Sequence, residues 1–114
     1  MATSVEWVPA RNVLRLWLRE VPLAAPRPAR ATLDVGEHGV LIGLELPADA
    51  ALGPGRRDAA GEPRYVEVAE PAGSQWRSVE VAVEVLAGPD GEAAAVDVPR
   101  RGDGYEITYP SGNR

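Results

Sequence analysis

The chain has no cysteine, no lysine and a single histidine in 114 residues. Without cysteine there are no disulfides, no thiol chemistry and no thiolate metal sites, so a small core has to hold without cross-links. No run approaches the roughly 18 apolar residues that a membrane-crossing helix needs. The opening Met1-Ala2-Thr3-Ser4-Val5-Glu6 shows no basic region followed by an apolar run, which predicts a cytoplasmic protein without a secretory leader. Arginine alone carries the positive charge. Residues 1–57 hold seven arginines against six carboxylates, residues 58–114 hold five against eleven, and the net charge is −5. The acidic second half would repel a phosphate backbone, so nucleic acid is not expected as a partner. It suits solubility or a basic partner.

What the chain does have is alternation. Between Arg30 and Leu46, Ala31, Leu33 and Val35 alternate with Thr32 and Asp34. Gly36-Glu37-His38-Gly39 then reads as a tight turn, and Val40, Ile42, Leu44 and Leu46 alternate with Leu41, Gly43 and Glu45. Period two with one apolar face predicts a half-buried hairpin. Val79, Val81, Val83 and Val85 against Glu80, Ala82 and Glu84 make the clearest single strand, and β-branched side chains suit it.

Shorter extended segments are expected at Val5–Val8, Val13–Arg19, Tyr65–Val68, Ala93–Val98 and Tyr105–Tyr109. Proline and glycine punctuate them at Pro9, Gly88-Pro89-Asp90-Gly91 and Pro99–Gly104. In Val13–Arg19, Leu14, Leu16 and Leu18 would face the core, with Val13, Arg15, Trp17 and Arg19 outward. Residues 77–109 read as a three-stranded meander. Pro22–Pro28 holds three prolines and reads as an irregular crossing or an edge. Residues 47–52 have the composition of one helical turn.

The expectation is therefore an all-β fold, a small antiparallel sandwich or partly open barrel of seven or eight short strands with at most one short helix. It forms a single domain over residues 1–114, with an internal boundary in the loop 53–63.

Residues 5–46 resemble a family of short bacterial domains of unknown function. The likeness is carried by Asn12-Val13-Leu14-Arg15-Leu16, by Leu33-Asp34-Val35-Gly36 and by Gly43-Leu44-Glu45-Leu46, the last standing for the family's Gly-Ile-Glu-Ile hairpin end. Asn12 stands where the family has Asp. The resemblance implies a small antiparallel sheet with a helix or another sheet against it and no catalytic residues, and it does not extend to residues 58–114.

Candidate sites are few. Gly36, Gly39 and Gly43 lack the spacing and following helix of a phosphate loop, and read as turn geometry, with Gly43 making room for a cross-strand neighbour. His38 with Glu37 and Asp34 is a poor metal set on an exposed turn. Glu45 reads as the partner of Arg15 or Arg19 across the sheet. Glu80, Glu84, Glu92, Asp97 and Glu106 read as a solvated acidic face without a calcium-loop pattern. No cofactor or metal is expected, and no serine sits in a nucleophile elbow.

The informative side chains are Trp7, Trp17 and Trp76. Trp17 lies on the arginine face. With Val13, Leu41, Arg15 and Arg19 it makes a candidate interface, because aromatic and arginine side chains are enriched where interfaces bury surface. The functional expectation is a non-enzymatic binding or assembly module that forms a homodimer or meets another protein. The alternative is a small-molecule binder or enzyme with a pocket between the two halves.

Overall fold

The computed structural model describes residues 4–47, 63–69, 76–102 and 104–108. Among these, the strands in chain order are β1 (Ser4–Val8), β2 (Val13–Trp17), β3 (Pro26–Gly36), β4 (Leu41–Leu46), β5 (Arg64–Glu67), β6 (Trp76–Ala87), β7 (Ala93–Pro99), β8 (Arg101–Gly102) and β9 (Tyr105–Glu106). The expected helical turn at 47–52 and most of the loop 53–63 lie outside the described residues. Helical backbone among the described residues is confined to a 3-10 turn at Glu37–Gly39.

Seven strands form one antiparallel sheet in the order β1-β2-β7-β6-β3-β4-β5, curled into a half-barrel, so the partly open barrel rather than the sandwich is the form adopted. Strands from before and after residue 57 interleave in blocks: β1-β2, then β7-β6, then β3-β4, then β5. The period-two patterns put Leu14, Leu16, Leu33, Leu44, Val81, Val83, Val85, Val96 and Val98 into one interior, where all are buried. The two longest strands, β3 and β6, pair over residues 26–36 and 76–86 and form the spine.

The β2–β3 connection skips over β7 and β6. It is tied to their ends by bonds from Leu18 N and Arg19 N to Ala94 O (2.8 and 3.1 Å) and from Ala24 N to Ala87 O (2.8 Å).

Three details depart from the sequence reading. First, the proline-rich stretch is regular strand from Pro26 onward. Gly36 N donates to Val40 O, so even-numbered β3 residues turn their peptide groups towards β4. Yet β4 pairs only with Thr32–Val35. Among the described residues nothing pairs with Pro26 and Pro28 on that side, where a missing N–H costs no ladder bond.

Second, the hairpin carries a bulge. Asp34 opposes Gly43, but Val35 opposes Leu41, so Ile42 is an extra residue. One inserted residue flips the phase of a strand. Leu41 therefore joins Leu44 and Leu46 in the core at 3% exposure. It does not lie in the outward strip with Trp17.

Third, the meander stops at two strands. Tyr105–Glu106 pairs with Arg101–Gly102, not with β7. The chain then crosses one end of the half-barrel: Ile107 N donates to Arg100 O (2.7 Å) and Thr108 N to Gly39 O (2.8 Å), with Tyr105 and Ile107 buried in the core. Gly39 has φ +77°, and a Cβ there would sit 2.4 Å from Glu106 O, so only glycine fits this junction.

Candidate functional site

The outer face of the sheet carries the polar side chains in register rows. In the β1-β2-β7-β6 half, Glu6 opposes Arg15, Arg15 opposes Asp97, and Asp97 opposes Glu84. Asp97 is 2% exposed, the one buried charged residue among those described. The Arg15 fork grips both of its oxygens, Nε to Oδ1 at 2.8 Å and Nη2 to Oδ2 at 3.0 Å, while Arg11 Nη1 reaches Oδ2 at 3.0 Å and its Nη2 bonds Glu84. The Asp97 bond raises the Arg15 pKa further above its ordinary value, against the opposing cost of burial.

Asp97 is thus not part of a solvated acidic face. It is the centre of an ion network that satisfies it fully. The sequence signal was a lone carboxylate inside the apolar run Ala93–Val98, aligned with an arginine strand.

Trp17 is held on this face. Its Nε1 donates to Glu6 Oε1 at 3.0 Å, and the Arg15 guanidinium lies 5.9 Å from its ring centre. The half-buried ring borders an open groove of about 470 Å³ whose other lining residues are Glu20, Val21 and Pro22. Val13 is on the same face but buried. Arg19 lies past the end of β2 and turns to the β6–β7 turn, binding Asp90 through two bonds (3.1 and 2.9 Å) and Glu92 O (3.1 Å). That bond draws the exposed Asp90 carboxyl below its usual range. Of the five expected interface residues, Val13, Arg15 and Trp17 therefore share a face, Arg19 is diverted to a turn, and Leu41 is in the core.

The β6-β3-β4-β5 half has its own cluster. Gly43 lies between Asp34 and Glu67 in the register, and a Cβ on it would meet Tyr65 Oη at 2.4 Å. The Tyr65 ring fills that space, as expected of a glycine making room for a cross-strand neighbour. Its hydroxyl donates to Asp34 Oδ2 (2.9 Å), and Ser78 Oγ donates to Asp34 Oδ1 (2.7 Å). Burial, the Asp34 bond and the charges of Asp34, Glu67 and Glu45 push the Tyr65 pKa up to about 12. Such a phenol is a hydrogen-bond donor at neutral pH, not a base.

Glu45 stands opposite Thr32 and Tyr65, not near Arg15 or Arg19, because β2 and β4 are far apart in the sheet order. His38 is exposed in the 3-10 turn at φ 63°, where its carbonyl accepts from Thr108 Oγ1. Among the described residues no three His, Asp or Glu side chains are grouped to hold a metal. A second open groove, about 240 Å³, is lined by Val35, Gly36, Glu37, Trp76 and Arg77, from both halves of the chain.

Fold and surface together define a class: a small antiparallel half-barrel whose outer face is an ordered lattice of ion pairs interrupted by aromatic rings. No family model matches the chain, and neither the curated proteins nor the solved structures hold a significant match. No helix among the described residues is long and apolar enough to cross a membrane.

Proposed function

We propose that the chain is a non-enzymatic protein-binding or assembly module, beginning with a homodimer through the outer face of β2. One observation carries this reading: Trp17 is fixed from two sides by Glu6 and Arg15 yet keeps part of its ring open beside the Val21–Pro22 groove. A pre-oriented aromatic gives up little side-chain entropy on binding, and such anchors contribute about 2 kcal/mol or more when buried. The charged groups around it are engaged with one another, which supports a structural role for them. The likeness of residues 5–46 to the short bacterial domains belongs to the same proposal, since it implies no catalytic residues. The small-molecule reading rests on the 240 Å³ groove between the halves. It comes second, because ligand pockets are usually about 300 Å³ or larger.

Sedimentation equilibrium at tens of micromolar tests the homodimer. A dimer that Trp17→Ala shifts to monomer, with the circular dichroism unchanged, supports the reading. A monomeric wild type sinks the homodimer, and a Trp17→Ala protein that dimerises as tightly as wild type removes this face from it.

A further inference from the structure

The sheet treats its open edges unequally. The side of β3 that no described strand pairs with is blunted by Pro26 and Pro28, which offer no donor to an incoming strand. Along β5 itself, Arg64–Glu67, the outer edge carries no proline among the described residues, Pro63 lying just before the strand. Val68 N donates to Ile42 O at 2.8 Å and Val66 opposes Leu44, so Arg64, Val66 and Val68 turn their peptide groups to β4. By alternation Tyr65 and Glu67 turn theirs away, and no strand among the described residues pairs with them. Both retain an N–H.

The side chains along this edge are sorted by face. On the outer face the Tyr65 ring is 45% exposed, with Glu67 and Glu45 beside it; on the inner face Val66 is fully buried.

We propose that the β5 edge takes up an extended segment of a partner protein, arginine or lysine alternating with apolar residues, as an added strand of the sheet. The partner's backbone bonds to the peptide groups of Tyr65 and Glu67. Its basic side chains lie on the outer face against Glu67 and the Tyr65 ring, and its apolar side chains extend the interior beyond Val66. The charge pattern disfavours a second copy of this chain, because β5 against β5 would bring Glu45 and Glu67 of both copies together. This edge is at the opposite end of the sheet from β1 and β2, so it stands or falls apart from the Trp17 reading.

The test uses the isotope-labelled full chain and three short capped peptides: alternating Arg and Val, alternating Glu and Val, and the Arg–Val peptide with prolines in place of valines, which keeps the charge but cannot pair as a strand. The expected result is binding of the Arg–Val peptide alone, with amide exchange at Tyr65 and Glu67 slowed about tenfold at saturation. Glu67→Arg should weaken that binding about tenfold. Equal binding of the proline-containing peptide would mean charge-driven adhesion and would overturn the proposal. So would binding that leaves exchange at Tyr65 and Glu67 unchanged, or no binding of the Arg–Val peptide.

Discussion

Replacing Arg15 by methionine probes the outer-face network most sharply. The substitution keeps most of the side chain's apolar length over the sheet and deletes both guanidinium bonds to Asp97. What remains is a carboxylate whose side chain is 1% exposed, bonded only by Arg11, itself 46% exposed. Leaving one partner of a buried pair uncompensated costs about 3–5 kcal/mol, and the surviving Arg11 bond makes that range the upper bound here. Set against a total stability of about 5–15 kcal/mol for a domain, this is a large fraction. Asp97→Leu alone strands Arg15 less severely, because that side chain is 20% exposed and can turn to water.

The double variant Arg15→Met, Asp97→Leu replaces the pair by packed apolar groups and should recover to within about 1 kcal/mol of wild type. Urea unfolding, with the slope unchanged, measures all three. The informative quantity is the coupling, which should be strongly favourable to the pair as a unit. A cost below about 1 kcal/mol for Arg15→Met would refute the reasoning, since that is the value of an exposed ion pair.

Two further outcomes follow from the Tyr65 cluster. Gly43→Ala places a Cβ 2.7 Å from Val66 O as well as 2.4 Å from Tyr65 Oη; the backbone oxygen cannot swing away, so thermal unfolding should show a loss of about 1–3 kcal/mol. Absorbance titration should find one tyrosine ionising near pH 12 in the folded protein, against 10.0 for the free group. The folded state then holds a proton that the unfolded state has released. Tyr65 therefore contributes stability that is fully present below about pH 10 and lost as the pH rises towards 12, and Tyr65→Phe should flatten that part of the alkaline stability curve.

Much of the secondary structure was legible because alternation is a local property. The faces of β2 and β6 and the hairpin about Gly36–Gly39 follow from side chains two residues apart along one strand, and the glycine at 43 announced a close cross-strand neighbour, found to be Tyr65. Asp97 was misjudged because its environment comes from a strand 82 residues away: only the β2–β7 pairing brings Arg15 onto it. The Pro26–Pro28 strand was obscured for a related reason. Proline is hostile to a ladder only on the side where a donor is needed, and which part of β3 is left without a neighbour on that side depends on where β4 ends.

Composition and periodicity by themselves determined that this chain makes an all-β fold with no cross-links, and most of the segments that extend and the turns that break them. Tertiary structure alone decided which strands are neighbours, that Leu41 faces inward, that residues 105–108 cap an end of the half-barrel, and which charges are buried. The physical reason is that a strand's two faces are set by its own sequence, whereas its partners, its register past a bulge and the solvent exposure of its polar face are set by chain segments distant in sequence.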